Sequence, residues 1–177
     1  LTLGCGGGDG VSEAEVITRE GLAFVNQHNF ETAIERFDQA LILAPNFVPA
    51  LINRGYTYDK LGQHERAIED YNEAIKLDSE NAKAYNNRGF VYRDLGQYSL
   101  ALADYDEAIR LNQFYADAYS SRALVNAFLG NDTQADEDFD RAVELGIDPN
   151  GLKAELYHAK NLVAIPAVNL TGTSWHF

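Results

Sequence analysis

The chain has 177 residues, enough for one compact domain or one short run of repeats. Its 46% hydrophobic and 23% charged residues are the balance of a folded protein. A formal net charge of −13 sets the surface against phosphate backbones and anionic headgroups. No nucleic-acid partner is expected, and basic or neutral protein surfaces suit the chain better. The same charge also serves solubility alone. One cysteine, Cys5, excludes an internal disulfide, and no apolar run approaches the roughly 20 residues of a membrane-spanning helix.

Residues 1–13 read as a Gly-rich linker. Leu1-Thr2-Leu3-Gly4 runs small and apolar residues into Cys5, and a glycine tract follows. The arrangement resembles the end of a bacterial lipoprotein signal, which implies a lipid anchor on Cys5 and an extracytoplasmic or extracellular location. The Leu usual three places before the cysteine is Thr2 here, and the charged and apolar regions of a signal are missing. The other reading is a linker with an incidental thiol in a cytoplasmic protein.

From residue 14 the chain repeats itself. Gly21, Gly55 and Gly89 lie 34 residues apart. The same step links Ala33, Ala67, Ala101 and Ala135, then Ala40, Ala74, Ala108 and Ala142, and the aromatics Phe37, Tyr71, Tyr105 and Phe139. A 34-residue period belongs to a helix–turn–helix unit, and apolar residues recur at helical spacing in each unit, as at Ala67, Tyr71, Ala74 and Ile75. The small residues would let paired helices approach, and the aromatics would fill the space between successive units. The segments Asn53-Arg54-Gly55-Tyr56-Thr57-Tyr58, Leu61-Gly62 and Ala67-Ile68-Glu69-Asp70-Tyr71-Asn72-Glu73-Ala74-Ile75 resemble the tetratricopeptide repeat family. Four units are placed at 14–47, 48–81, 82–115 and 116–149. The resemblance implies an all-α, right-handed α-solenoid that works as a non-enzymatic scaffold for protein–protein interaction.

Gly62, Gly96 and Gly130 each follow a first helix, where a left-handed cap is favoured. Pro45 and Pro149 lie past second helices, which proline cannot continue. The fourth unit is atypical: Ala123 replaces the glycine, Asn126 replaces an aromatic, and Asp136 stands where Ile34, Ile68 and Leu102 stood. Terminal repeats commonly differ in this way. Leu152, Leu156, Ala159 and Val163 then make an apolar stripe on a capping helix over 150–164, ended by Pro166.

Residues 165–177 form an extended tail, β-branched and aromatic at its end. Trp175 and Phe177 each gain roughly 1.5–3 kcal/mol by leaving water. They are therefore expected to insert, either on their own solenoid or on another copy of the chain. Asn131-Asp132-Thr133 and Asn169-Leu170-Thr171 are glycosylation sequons, meaningful at Asn131 and Asn169 only in an exported protein.

By the family resemblance, the first helix of each pair lines the concave face. Residues at i, i+4 and i+7 share a helix face. The groove candidates are therefore Leu22, Ile52, Tyr56, Asn86, Phe90, Arg93 and Leu124, with Asn53 and Asn87 beside them. The row Leu22–Tyr56–Phe90–Leu124 is apolar throughout and suits an extended or helical peptide with apolar anchors. The alternative is that Tyr56 and Phe90 only pack against neighbouring helices. Of the Lys/Asn/Arg clamp with which some relatives grip a C-terminal carboxylate, only Asn53 and Lys83 have counterparts, which argues against a chaperone-tail receptor.

No catalytic, cofactor or metal signature emerges. The histidines are scattered, and His64-Glu65 lacks the second histidine of a zinc-protease helix. Asp136-Glu137-Asp138-Asp140 lacks the pattern of a calcium loop and reads as a solvated helix face. Two functions follow. In the first, the groove binds a peptide segment of another protein. In the second, the solenoid ends and tails join identical copies into a fibre, tube or ring.

Overall fold

The computed structural model describes residues 8–163, with side chains from 12 to 161. Cys5, Asn169, Trp175 and Phe177 lie outside the described residues. Among those described, the secondary structure is entirely helical: α1 (Gly8–Asn26), α2 (Phe30–Leu43), α3 (Val48–Lys60), α4 (His64–Leu77), α5 (Ala82–Asp94), α6 (Tyr98–Leu111), α7 (Ala116–Phe128), α8 (Asp132–Glu144) and α9 (Pro149–Val163). The first helix begins inside the expected linker. The chain divides into two compact units, Leu1–Gln113 and Phe114–Phe177.

In the first unit, α1/α2, α3/α4 and α5/α6 are hairpins, with α3 stacked chiefly on α2 and α5 on α4. A small residue and an aromatic sixteen positions apart close each hairpin. The rings of Phe37, Tyr71 and Tyr105 are fully buried over Gly21, Gly55 and Gly89. A Cβ added at those glycines would lie 2.5, 3.0 and 2.8 Å from the nearest ring carbon, so at Gly21 and Gly89 the ring would have to move, and at Gly55 it would have to give slightly. Tyr71 also shares a core cluster with Ala84 and Val91 of α5, so one ring packs within its hairpin and against the next. The alanines at 33, 67, 101, 40, 74 and 108 are wholly buried where helices cross.

The turns follow the same logic. Gly62 and Gly96 both sit at φ +71°, just past the ends of α3 and α5. This left-handed backbone costs a Cβ-bearing residue roughly 1–2 kcal/mol. The equivalent place after α1 holds His28, at φ 57°.

A charged ladder, unread in the sequence, fixes the register of the stack. Arg54 donates to Asp70 from Nε at 2.9 Å and Nη2 at 2.6 Å, and to Asp38 of the preceding hairpin from Nη1 at 2.6 Å. Arg88 repeats this with Asp104 at 2.9 and 2.7 Å and with Asn72 at 2.6 Å. Each arginine thus ties its own second helix to the one before. In the first hairpin the charges are exchanged, with Arg36 Nη1 3.9 Å from Glu20. The bond to Asp70 raises the Arg54 guanidinium above its ordinary value, against the lowering effect of burial. For Asp70 and Asp104 burial pushes the carboxyl up, and the arginine pulls it back.

In the second unit, α7 and α8 form a hairpin with Gly130 at φ +77° in its turn. Arg122 donates to Asp138 at 2.8 and 2.6 Å. The acidic run of α8 is therefore not simply a solvated face: Asp138 is buried beneath Arg122, and Asp136 accepts from Lys160 of α9 at 2.7 Å. Aspartate at 136, where other units have an aliphatic residue, is thus an ion-pair partner for the closing helix. Pro149 opens α9, where its missing N–H costs nothing. Leu152, Leu156 and Ala159 bury against α7 and α8.

Candidate functional site

Two apolar residues of the first helices in unit 1, Tyr56 and Phe90, share one cleft. Tyr56 of α3 is 39% exposed and Leu22 of α1 is 36% exposed, while Phe90 of α5 is half-buried. Between α3 and α5 lies an open cleft of about 490 Å³, lined by Tyr56, Asp59, Lys60, Tyr71, Asn87, Phe90, Arg93 and Asp94. Phe90 is anchored from below, edge-on to Tyr105 with ring centroids 6.2 Å apart.

A cation rests on each exposed ring. Lys60 Nζ lies 4.9 Å from the centre of Tyr56, and the Arg93 guanidinium carbon lies 4.5 Å from that of Phe90. Such contacts contribute roughly 0.5–1 kcal/mol at exposed sites. Carboxylates hold both cations in place. Lys60 Nζ is 3.6 Å from Asp59, and Arg93 donates to Asp94 at 3.0 and 2.8 Å. Asp59 also lies 3.2 Å from His64 Nδ1. The floor is the Tyr71 phenol. Burial pushes it well above its ordinary value, the Asp59 charge adds to that, and a hydrogen bond with the Asn87 side chain works the other way. The cleft therefore offers two aromatic surfaces, two cations and an amide.

Not every expected residue reaches this face. Ile52 is 5% exposed and belongs to the hydrophobic core with Leu51 and Tyr58. Asn86 is 3% exposed, and its Oδ1 has no hydrogen-bond partner among the described residues. Both are corrected from groove to interior: Ile52 packs in the cluster that joins α3, α4 and α5, and Asn86 stands at the equivalent place of the next hairpin. Asn53 is half-buried. Leu124 belongs to the other unit, half-buried against the core of α7, α8 and α9. Asn131 occupies the N-cap position of α8 without a side-chain capping bond and is exposed, its Nδ2 donating to Asn126 Oδ1 at 3.2 Å. Lys60 was missed, although its place one helical turn after Tyr56 was a readable cation–aromatic spacing. Among the described residues, no group of three or more His, Cys, Asp or Glu could hold a metal, and no helix is long and apolar enough to cross a membrane.

Three family models match the chain. One described as TPR repeat covers residues 55–93, and two described as tetratricopeptide repeat cover 82–115 and 37–69. No curated protein matches. Solved structures do. The chain is similar to MamA at 27% identity and a TM-score of 0.68, over 85% of this chain and 84% of that one. The first TPR of Spaghetti (RPAP3), bound to an HSP90 peptide, matches at 28% identity and a TM-score of 0.61, over 66% and 93% of the two chains. PilF of Pseudomonas aeruginosa reaches a TM-score of 0.78 at 23% identity over 86% and 70%, a likeness of fold alone.

Proposed function

Because the chain belongs to the tetratricopeptide repeat family, a family of protein-interaction scaffolds, we propose that the face of α3 and α5 around Tyr56 and Phe90 captures a peptide segment of another protein. The observation that carries this reading is an exposed Tyr56 and a half-buried Phe90 lining one open cleft, with a cation already ordered on each ring. Aromatic surface held rigidly from behind gives contact area at little entropic cost on binding. Asn87 stands at the edge of the cleft to bond a peptide backbone. The similarity to a repeat domain bound to an HSP90 peptide supports the same class of ligand. The occupant suited to the site carries apolar or aromatic anchors with a carboxylate nearby for Lys60 and Arg93.

A random peptide library displayed on phage and selected on the full chain tests this. Enriched sequences should share apolar anchors, and Tyr56→Ala should weaken them tenfold or more, about 1.4 kcal/mol. Enriched peptides that bind wild type and Tyr56→Ala equally well would place the binding elsewhere and sink the proposal.

A further inference from the structure

The second unit has an opening of its own, independent of the face described above. Between α8 and α9 lies a cleft of about 480 Å³ lined by Asp136, Phe139, Lys153, Leu156, Tyr157 and Lys160. In the first three hairpins the aromatic ring lies on a glycine, and a Cβ there would meet it at 3.0 Å or less. At this position the second unit has Ala123, fully buried. There the aromatic of the repeat, Phe139, is half-buried and forms part of the cleft wall, whereas Phe37, Tyr71 and Tyr105 are fully buried. Tyr157 stands beside it with 73% of its surface exposed.

We propose that this cleft receives the chain's own C-terminal segment, residues 164–177, with Trp175 as the anchor. Three observations select that occupant. First, the chemistry matches. Residues 164–177 contain no Asp, Glu, Lys or Arg in a chain of net charge −13, and they carry Ile165, Val168, Leu170, Trp175 and Phe177. The cleft is lined by Phe139, Leu156 and Tyr157 with Lys153, Lys160 and Asp136 among them, and of the aromatic rings an indole holds a cation best. Second, Lys160 is held by Asp136 at 2.7 Å and Asp132 at 3.8 Å, whereas Lys153 has no ion pair among the described residues. Third, the reach is ample. Tyr157 lies six residues before Val163, about 9 Å along a helix. The twelve residues from Val163 to Trp175 span up to about 40 Å when extended. Tethering gives the segment an effective concentration on the order of millimolar at its own cleft. A second copy reaches such concentrations only in dense solution.

Trp175 is the only tryptophan, so the full chain reports on itself. Its emission should be blue-shifted, and iodide should quench it severalfold less than it quenches a free tryptophan peptide, at every protein concentration. In Tyr157→Ala/Lys153→Ala both signatures should revert to those of exposed indole while the far-ultraviolet dichroism stays that of wild type. Both altered side chains are exposed, so the helices should survive the change. Three results would each overturn the proposal: a Trp175 fully quenchable in wild type, shielding that persists unchanged in the double variant, or shielding that vanishes on dilution, which would assign the cleft to a neighbouring copy's tail.

Discussion

Arg88 and Asp104 face each other across the α5/α6 hairpin in a two-pronged bond, and the third arm of the arginine reaches the neutral amide of Asn72. The Glu20–Arg36 pair shows that the same sixteen-residue spacing tolerates exchanged charges. Asp104→Ala leaves a mostly buried guanidinium without its carboxylate and should cost about 2–3 kcal/mol, toward the lower end for a broken buried pair. Arg88→Glu should cost more, since it sets two carboxylates together. The exchange Arg88→Glu/Asp104→Arg should recover most of either loss. The corresponding exchange at Arg54 and Asp70 should not, because a carboxylate at 54 would face Asp38, now 2.6 Å from the guanidinium. Urea midpoints at constant m-value check all of these.

His28 occupies a left-handed position that its counterparts fill with glycine. His28→Gly should therefore stabilise the chain by about 1 kcal/mol. The edge-on contact with Phe30 at 5.8 Å is what would be lost in exchange. Thermal unfolding of the two proteins side by side would show the difference. A lower melting temperature for the glycine variant would mean that the ring contact outweighs the backbone strain.

The glycines beneath the rings should respond unequally to alanine. Alanine gains about 1 kcal/mol of helix propensity over glycine at each site. At Gly21 the new Cβ would meet the Phe37 ring at 2.5 Å, and overpacking of this kind costs about 1–3 kcal/mol. Gly21→Ala should be clearly destabilising. At Gly55 the closest approach is 3.0 Å, with a backbone oxygen at 3.3 Å, so the two effects should nearly cancel. Equal losses at the two positions would show that the difference in ring approach does not set the cost, and no loss at either would show that the rings shift freely.

Alkaline stability should fall in a defined window. Burial raises the folded-state values of Tyr71 and Tyr58 above that of a free phenol, about 10. The stabilisation tied to keeping these phenols neutral is fully present below that value. Above it the unfolded chain releases protons that the folded chain retains, and stability declines as pH rises. Part of the tyrosinate absorbance should appear only as the helix signal collapses. Tyr71→Phe should shrink that part and flatten the decline. An unchanged profile in that variant would refute the assignment.

The hairpins were legible because identical packing demands recur at a fixed step. Gly55 with Tyr71 and Gly89 with Tyr105 are one contact written twice. The arginine–aspartate ladder carried the same signal at Arg54, Arg88 and Arg122, and at Asp70, Asp104 and Asp138. It passed unnoticed because charged residues on helices ordinarily face water. The binding face was only partly readable. Helical spacing puts Ile52 and Tyr56 on one stripe, yet only the width of that stripe left uncovered by neighbouring helices separates the buried residue from the exposed one. The α8/α9 cleft was harder still. Ala123 was visible as a departure, but how far Phe139 and Tyr157 are covered is specified by no linear pattern.

The sixteen-residue spacing has a consequence for how the chain reaches its fold. Every glycine–ring contact and every arginine–carboxylate bond described above joins residues within a single short stretch of chain. No distant segment has to be found before a hairpin can close, and the loop entropy spent on each closure is small. Such local wiring belongs to fast folders. On an emerging nascent chain, each hairpin can lock its ring and its ion pair as soon as its own second helix is free, before the next unit exists.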